Sequence, residues 1–213
     1  MDEHRRTGTD TDERTRTAAP LPTARPAIVL ASRSPRRREL LAVMGLDFEV
    51  VPSPLPEPMT RAHPVRPAAW AEALAFFKAS SVTAVRPRAV VIGADTVVTD
   101  GRRLFGQPAD ADEARTILSA LSGTAHQVIT GVAVVAPVGR WIGHEVTRVR
   151  MKPMSPRQLD DYIGSGLWQG KAGAYGIQDR DEPFVELLGG SFNNVVGLPT
   201  DLLRQLLQRA GVC

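Results

Sequence analysis

"RAVVIGADTVVTD", residues 88–100, decides the fold. Val90, Val91, Ile92, Val97 and Val98 make it nearly continuous in β-branched residues, the composition of a central strand buried on both faces. Asp95 and Thr96 interrupt the run. An ionisable group in such a place is costly unless it is paired, metal-bound or catalytic. Gly93, two residues earlier, allows a ligand or another backbone to come close.

Upstream, Ile28 to Ala31 reads as a second buried strand and Pro35 to Met44 as a helix, with Ser34 as its N-cap and Pro35 at its first position. Leu40, Leu41 and Met44 recur at helical spacing as its core face. Phe48 to Val51 is a further strand, "PSPLPEPMTRAHPVRP" a proline-rich loop, and Ala68 to Val85 a helix with Trp70, Leu74 and Phe77 at its apolar positions. Downstream, "DADEARTILSAL" starts with acids suited to a helix N-terminus. Two long strands follow, His126 to Val135 and Trp141 to Met151, with Pro137 and Gly139 in the turn between them. Ser155 to Ser165 is a helix, Phe184 to Leu188 a short strand, and Pro199 to Ala210 the last helix; "GGSFNNVVGLPT" on its own reads as a structural turn. Strands alternating with helices, plus one hairpin, predict an α/β fold with a mixed β-sheet flanked by helices.

Composition narrows the function. The chain has 213 residues, 43% hydrophobic and 23% charged, with a formal charge of +3, too small to argue for nucleic-acid binding. Residues 1–26 mix both charge signs with Thr and Pro and predict a flexible tail, leaving residues 27–213 as one domain. No apolar run is long enough to span a membrane and the N-terminus has no signal-peptide core, so the expected location is cytoplasmic. The single cysteine, Cys213, and four scattered histidines give no zinc-ligand spacing. Asp95 with Glu57 is the candidate pair for a hard cation.

"SRSPRRREL", residues 32–40, places arginines in the first turn of a helix, where unpaired backbone N–H groups attract phosphate. Side chains there tilt toward the helix N-terminus, so Arg36 and Arg37 point back to the carboxyl end of the preceding strand, where open α/β sheets bind ligands. Neither a Walker A loop nor a strand-linked GxGxxG occurs. "GKAGAYGIQD", residues 170–179, has three glycines around Lys171, the pattern of a shaped loop. Lys171 suits a phosphate and Gln178 a base edge. Lysine is scarce, only Lys78, Lys152 and Lys171; Lys171 falls in this loop and Lys78 ends the "WAEALAFFKA" helix.

Together, "LASRSPRRRELL", a glutamate after "VPS", "ALAFFKA", "GADTVV", "LSGTAHQVITGVAV", "KAGAYGIQ" and "NNVVGLP" resemble the Maf family of nucleoside triphosphate pyrophosphatases, in order and from Ile28 to about Leu207. The resemblance implies an elongated ITPase-like sheet with two lobes around a central cleft, a homodimer, and a divalent metal, Mg²⁺ or Mn²⁺. It implies hydrolysis of a nucleoside triphosphate to monophosphate and pyrophosphate. Asp95 matches the family's general base and Glu57 a metal ligand, with Asp95 shared. Arg37 and Lys78 supply catalytic positive charge; Ser32, Ser34, Arg36, Thr96, Gln107, Lys171 and Gln178 match substrate-binding positions. The Arg36, Thr96 and Gln178 set looks like the branch acting on dTTP and UTP, in house-cleaning and septum control. A sister branch prefers 7-methyl-GTP, and a septum regulator with weak or no hydrolysis is the reading from another class. Two departures stand out: Gln107 replaces a lysine usual in "GKP", and Pro56 precedes Glu57 where an acid is common.

Overall fold

The computed structural model describes residues 26–54, 66–178 and 184–212. Residues 1–25 of the expected N-terminal tail, Pro56 and Glu57 therefore lie outside the described residues. A seven-stranded mixed sheet runs β2-β1-β3-β5-β6-β7, with β4 added beside β3. Its strands are β1 (Ile28–Leu30), β2 (Phe48–Val50), β3 (Val90–Thr99), β4 (Leu104–Phe105), β5 (Ala125–Ala136), β6 (Gly139–Met151) and β7 (Val185–Gly189). The helices are α1 (Pro35–Val43), α2 (Pro67–Thr83), α3 (Ala111–Leu121), α4 (Pro156–Gly164), α5 (Phe192–Val196) and α6 (Thr200–Arg209).

Residues 88–100 do form the middle of the sheet. β1 pairs with both β2 and β3 in parallel, and β3, β5, β6 and β7 follow antiparallel. On one edge of β3, β1 covers Val90–Ile92 and β4 covers Val98–Thr99. Among the described residues no strand pairs with Gly93–Val97 on that edge, so β3 carries a five-residue gap.

Alternation along β3 sends Val90, Ile92, Ala94, Thr96 and Val98 to one face and Val91, Gly93, Asp95 and Val97 to the other. Helix α2 packs on the second face. The sequence predicts Trp70 and Phe77 on its apolar side, but both are only half-buried. Its buried side is Ala71, Leu74, Ala75, Lys78, Ala79 and Val82. The reason is the closeness of approach. A Cβ on Gly93 would stand 2.2 Å from the Ala75 carbonyl oxygen, and one on Gly131 2.3 Å from the Ala71 carbonyl. A helix seated on two strand glycines has room for alanines alone along the line of contact.

On the first face the core divides. One cluster gathers Ile28, Leu30, Leu41, Ile92, Val132 and Leu198 with α6, through Leu203, Leu206 and Leu207. The other gathers Val98, Phe105, Val128, Val149 and Met151 with α3 and α4. Between them lie Thr96 and its cross-strand partner Thr130, so a polar waist separates two apolar lobes.

Three local readings change. The turn of the β5–β6 hairpin is Pro137–Val138, and Gly139 already belongs to β6. The two-residue β4 has no sequence pattern long enough to register. "GGSFNNVVGLPT" holds a helix, because the Ser191 hydroxyl caps Asn194 N–H and Gly197, at φ 120°, ends it.

Candidate active site

Two adjoining cavities occupy the waist beside the β3 gap. The outer, about 740 Å³, is lined by Ser32, Arg33, Ser34, Arg36, Arg37, Ser53 and Lys78 among others. The inner, about 240 Å³, is lined by Thr96, Val98, Val128, Lys171, Tyr175, Gln178, Val195 and Val196 among others. Ser34, Arg36, Arg37, Gln107 and Gly170 belong to both, so a single cleft runs from a basic mouth to a smaller pocket of mixed character, in which four valines stand beside polar side chains.

The helix that starts at Ser34 aims its arginines as the tilt of helical side chains predicts. Ser34 caps Arg37 N–H at 3.4 Å. Buried Arg37 donates from Nε to the Gly197 carbonyl at 2.8 Å, from Nη2 to Thr96 Oγ1 at 3.1 Å and from Nη1 to Ser32 Oγ at 3.5 Å. One guanidinium thus ties α1, β3 and the α5–α6 turn together. Arg36 donates from Nη2 to the Gly170 carbonyl at 2.8 Å and holds the glycine loop against α1.

Asp95 lies on the opposite face of β3, buried, with Lys78 Nζ donating to its Oδ1 at 2.6 Å. Lys78 lines the outer cavity, whereas Asp95 is not among the residues lining either one. The carboxylate meets the cleft from behind the ammonium. Such a pair is stable as a pair and costly to break, since removing one member strands the other charge.

The loop after Gly170 turns through a short 3-10 segment, Ala172–Ala174, with Gly173 at φ 73° and Ala174 at φ 64°. It carries Lys171 and Gln178 to the inner cavity. Its anchor is Tyr175, whose hydroxyl meets His126 Nε2 at 2.8 Å. Burial pushes the His126 imidazole down to about 4, only partly offset by the nearby Thr124 backbone and the Asp100 charge. Burial also raises the Tyr175 phenol well above its ordinary value. The pair is therefore neutral near pH 7, and Tyr175 packs its ring on the cleft wall.

Thus Ser32, Ser34, Arg36, Arg37, Thr96, Gln107, Lys171, Gln178 and Lys78 converge on one cleft, with Asp95 bound to Lys78. Sequence reading did not single out Arg33, Ser53, Gly170, Tyr175, Val195 or Val196, all of which line the cleft. The aromatic within "KAGAYGIQ" and the family match of "NNVVGLP" were available signals, and Ser53 is the serine of the matched "VPS".

For a divalent cation, the described residues contain no group of three or more His, Cys, Asp or Glu side chains placed to hold a metal. They offer Asp95 alone beside the cleft. That suits an Mg²⁺-type ion, which uses one or two carboxylates plus substrate phosphates, and does not suit an all-protein cage.

Residues 27–210 match the family model described as Maf-like protein. A protein of Pelotomaculum thermopropionicum named dTTP/UTP pyrophosphatase is 43% identical over 186 residues, 86% of this chain and 96% of its own. One of the same name from Moorella thermoacetica is 46% identical over 187 residues, 87% of this chain and 95% of its own. The solved structure of the Staphylococcus aureus Ham1 protein aligns with 59% of this chain and 71% of its own, at TM-score 0.41 and 15% identity.

Proposed function

This chain belongs to the Maf family, and on that premise we propose that it hydrolyses dTTP and UTP to the monophosphate and pyrophosphate. The observation that carries this reading is the cleft itself. Arg33, Arg36, Arg37 and Lys78 gather at a mouth that narrows into a pocket holding Lys171 and walled in part by Val98, Val128, Val195 and Val196. A triphosphate meets the cations and a flat base meets the apolar walls.

Water attacks the α-phosphorus, and pyrophosphate leaves as negative charge accumulates on it. Such a reaction needs positioning and charge stabilisation more than covalent help. Asp95 takes the proton of the attacking water. Lys78 orients that carboxylate through its 2.6 Å hydrogen bond, and faces the phosphates itself. Arg36, which lines both cavities, and Lys171, which lines the inner one, bind the triphosphate, and Ser32 and Ser34 add neutral donors. Gln107, placed where both cavities meet, donates a hydrogen bond without charge. Asp95, with Glu57, would hold Mg²⁺ or Mn²⁺ together with substrate phosphate oxygens; the ion would supply charge neutralisation and a more acidic water.

The names of the relatives favour dTTP and UTP over 7-methyl-GTP, and nothing in the cleft favours a regulator without hydrolysis. Among the described residues no helix is long and apolar enough to cross a membrane. The family resemblance supports a cytoplasmic homodimer, which light scattering on the purified protein would test. Pyrophosphate release, screened across nucleoside triphosphates with Mg²⁺ or Mn²⁺, should be fastest with dTTP and UTP. Asp95→Asn should slow it by about 10²–10⁴-fold. No release from any triphosphate, or undiminished release by Asp95→Asn, would overturn the reading.

A further inference from the structure

Resting on that proposed activity, we propose that Thr130, a residue outside the cleft, sets the choice among pyrimidines by fixing which way the Thr96 hydroxyl points its proton. Thr130 is fully buried and lines neither cavity, whereas Thr96 lines the inner one. Three hydrogen bonds connect Arg37 to α5 through these two side chains. Arg37 Nη2 meets Thr96 Oγ1 at 3.1 Å, Thr96 Oγ1 meets Thr130 Oγ1 at 2.9 Å, and Thr130 Oγ1 meets the Asn194 carbonyl at 2.9 Å.

The chemistry of the two ends determines the direction of the whole chain. A guanidinium only donates and a carbonyl only accepts. The N–H groups of Gly197 and Leu198 both go to the Asn193 carbonyl, so the Asn194 carbonyl takes its proton from Thr130. A threonine hydroxyl has one proton. Thr130 has spent its own on Asn194, and the proton between the two threonines must come from Thr96. Thr96 therefore gives its only proton away from the pocket and accepts one from Arg37. What it offers a bound base is a lone pair and nothing else.

An obligate acceptor prefers a base whose ring nitrogen carries hydrogen. Uracil and thymine present N3–H, while cytosine presents a bare N3 whose lone pair would oppose that of Thr96. Gln178, the other polar group at the base end, cannot make this choice alone. Its amide offers a donor or an acceptor according to how it is flipped, and so serves either O4 or a 4-amino group. A fixed acceptor discriminates where an adaptable amide does not. A site built around one hydrogen bond rejects the analogue that cannot make it.

The test is the ratio of kcat/KM for UTP to that for CTP, in the full-length protein and in Thr130→Val and Thr130→Ser. Valine removes the acceptor for the Thr96 proton, which is then free to turn into the pocket. The ratio should fall by about tenfold or more. Serine keeps the relay and should keep the ratio. Loss of activity alone, equal for both nucleotides, would mark Thr130 as merely structural and overturn the proposal. A second measurement needs no variant. The ring N–H of 5-fluoro-UTP is more acidic than that of UTP, so its kcat/KM should decline at lower pH on the alkaline side. Coincident alkaline limbs would also overturn the proposal. Hydrolysis of neither UTP nor dTTP by the unaltered protein would instead remove the activity on which it rests.

Discussion

Substituting Gly93 by alanine tests how the sheet places Lys78 against Asp95. The new methyl would stand 2.2 Å from the Ala75 carbonyl oxygen and 2.9 Å from the Ala79 nitrogen, where ordinary contact begins at 3.4 Å. Both obstacles are helix backbone, which cannot rotate aside. Helix α2 must therefore withdraw locally by roughly 1 Å. Overpacking of this kind costs about 1–3 kcal/mol, and a collision with backbone belongs at the upper end. The functional cost comes on top of this. Lys78 lies between Ala75 and Ala79, and its bond to Asp95 is 2.6 Å long. A retreat of about 1 Å carries it beyond good hydrogen-bond geometry, and displacements of that size reduce turnover by up to about 10²-fold. Urea unfolding should show a loss of about 3 kcal/mol, with kcat for pyrophosphate release down by about ten- to a hundredfold. Gly164→Ala is the matched control, since a Cβ there meets nothing within 4 Å. If Gly93→Ala unfolded at the unaltered urea midpoint and kept its kcat, the close seating of α2 would not position the pair.

Lys78→Met should destabilise by about 3–5 kcal/mol by stranding the buried Asp95 carboxylate, and the double variant Lys78→Met, Asp95→Leu should recover much of that in urea unfolding. Stability should fall on acidification because of His126. Its folded-state value, about 4, lies below the ordinary 6.5, so the unfolded chain binds the extra proton first. The neutral-imidazole contribution is complete above about pH 6.5 and lost as pH falls toward 4, amounting to about 3 kcal/mol. Replacing His126 by Gln should flatten unfolding free energy across that window, and an unchanged slope would clear the residue. Gln107→Lys restores charge where the two cavities meet. It should raise kcat/KM for UTP by about three- to tenfold, and no gain would mean that the position does not face phosphate.

The sequence exposes those parts of the site in which one residue contradicts its neighbours. Asp95 is conspicuous because a carboxylate sits in an apolar strand, and Lys171 because lysine is scarce in an arginine-rich chain. The identity of Asp95's partner is not legible in this way. It depends on α2 docking over two glycines 38 residues apart in sequence, Gly93 and Gly131, a relation with no local period. Thr130 is invisible for the opposite reason: threonine in a strand is ordinary, and only its position between Thr96 and the Asn194 carbonyl gives it a role. The α5 helix hides in residues with poor helix propensity. Ser191 caps it, while Asn194 Nδ2 donates to the Val128 carbonyl and to Thr147, so contacts with the sheet replace propensity. The α2 face misleads because bulk and burial part company there. The large residues Trp70 and Phe77 are pushed aside and alanines take the contact.

The gap in the β3 edge has a consequence for the protein's life in a crowded solution. A bare strand edge is a template on which another chain can add itself, the first step of edge-to-edge aggregation. Here the stretch without a paired strand is Gly93–Val97, about 16 Å long and largely buried, and β1 and β4 stop it at both ends. A foreign strand of ordinary length collides with those stops before it can form a ladder. The outer strands are short as well, three residues in β2 and five in β7. The molecule can thus leave its central strand open to a nucleotide-sized visitor while denying that opening to its neighbours.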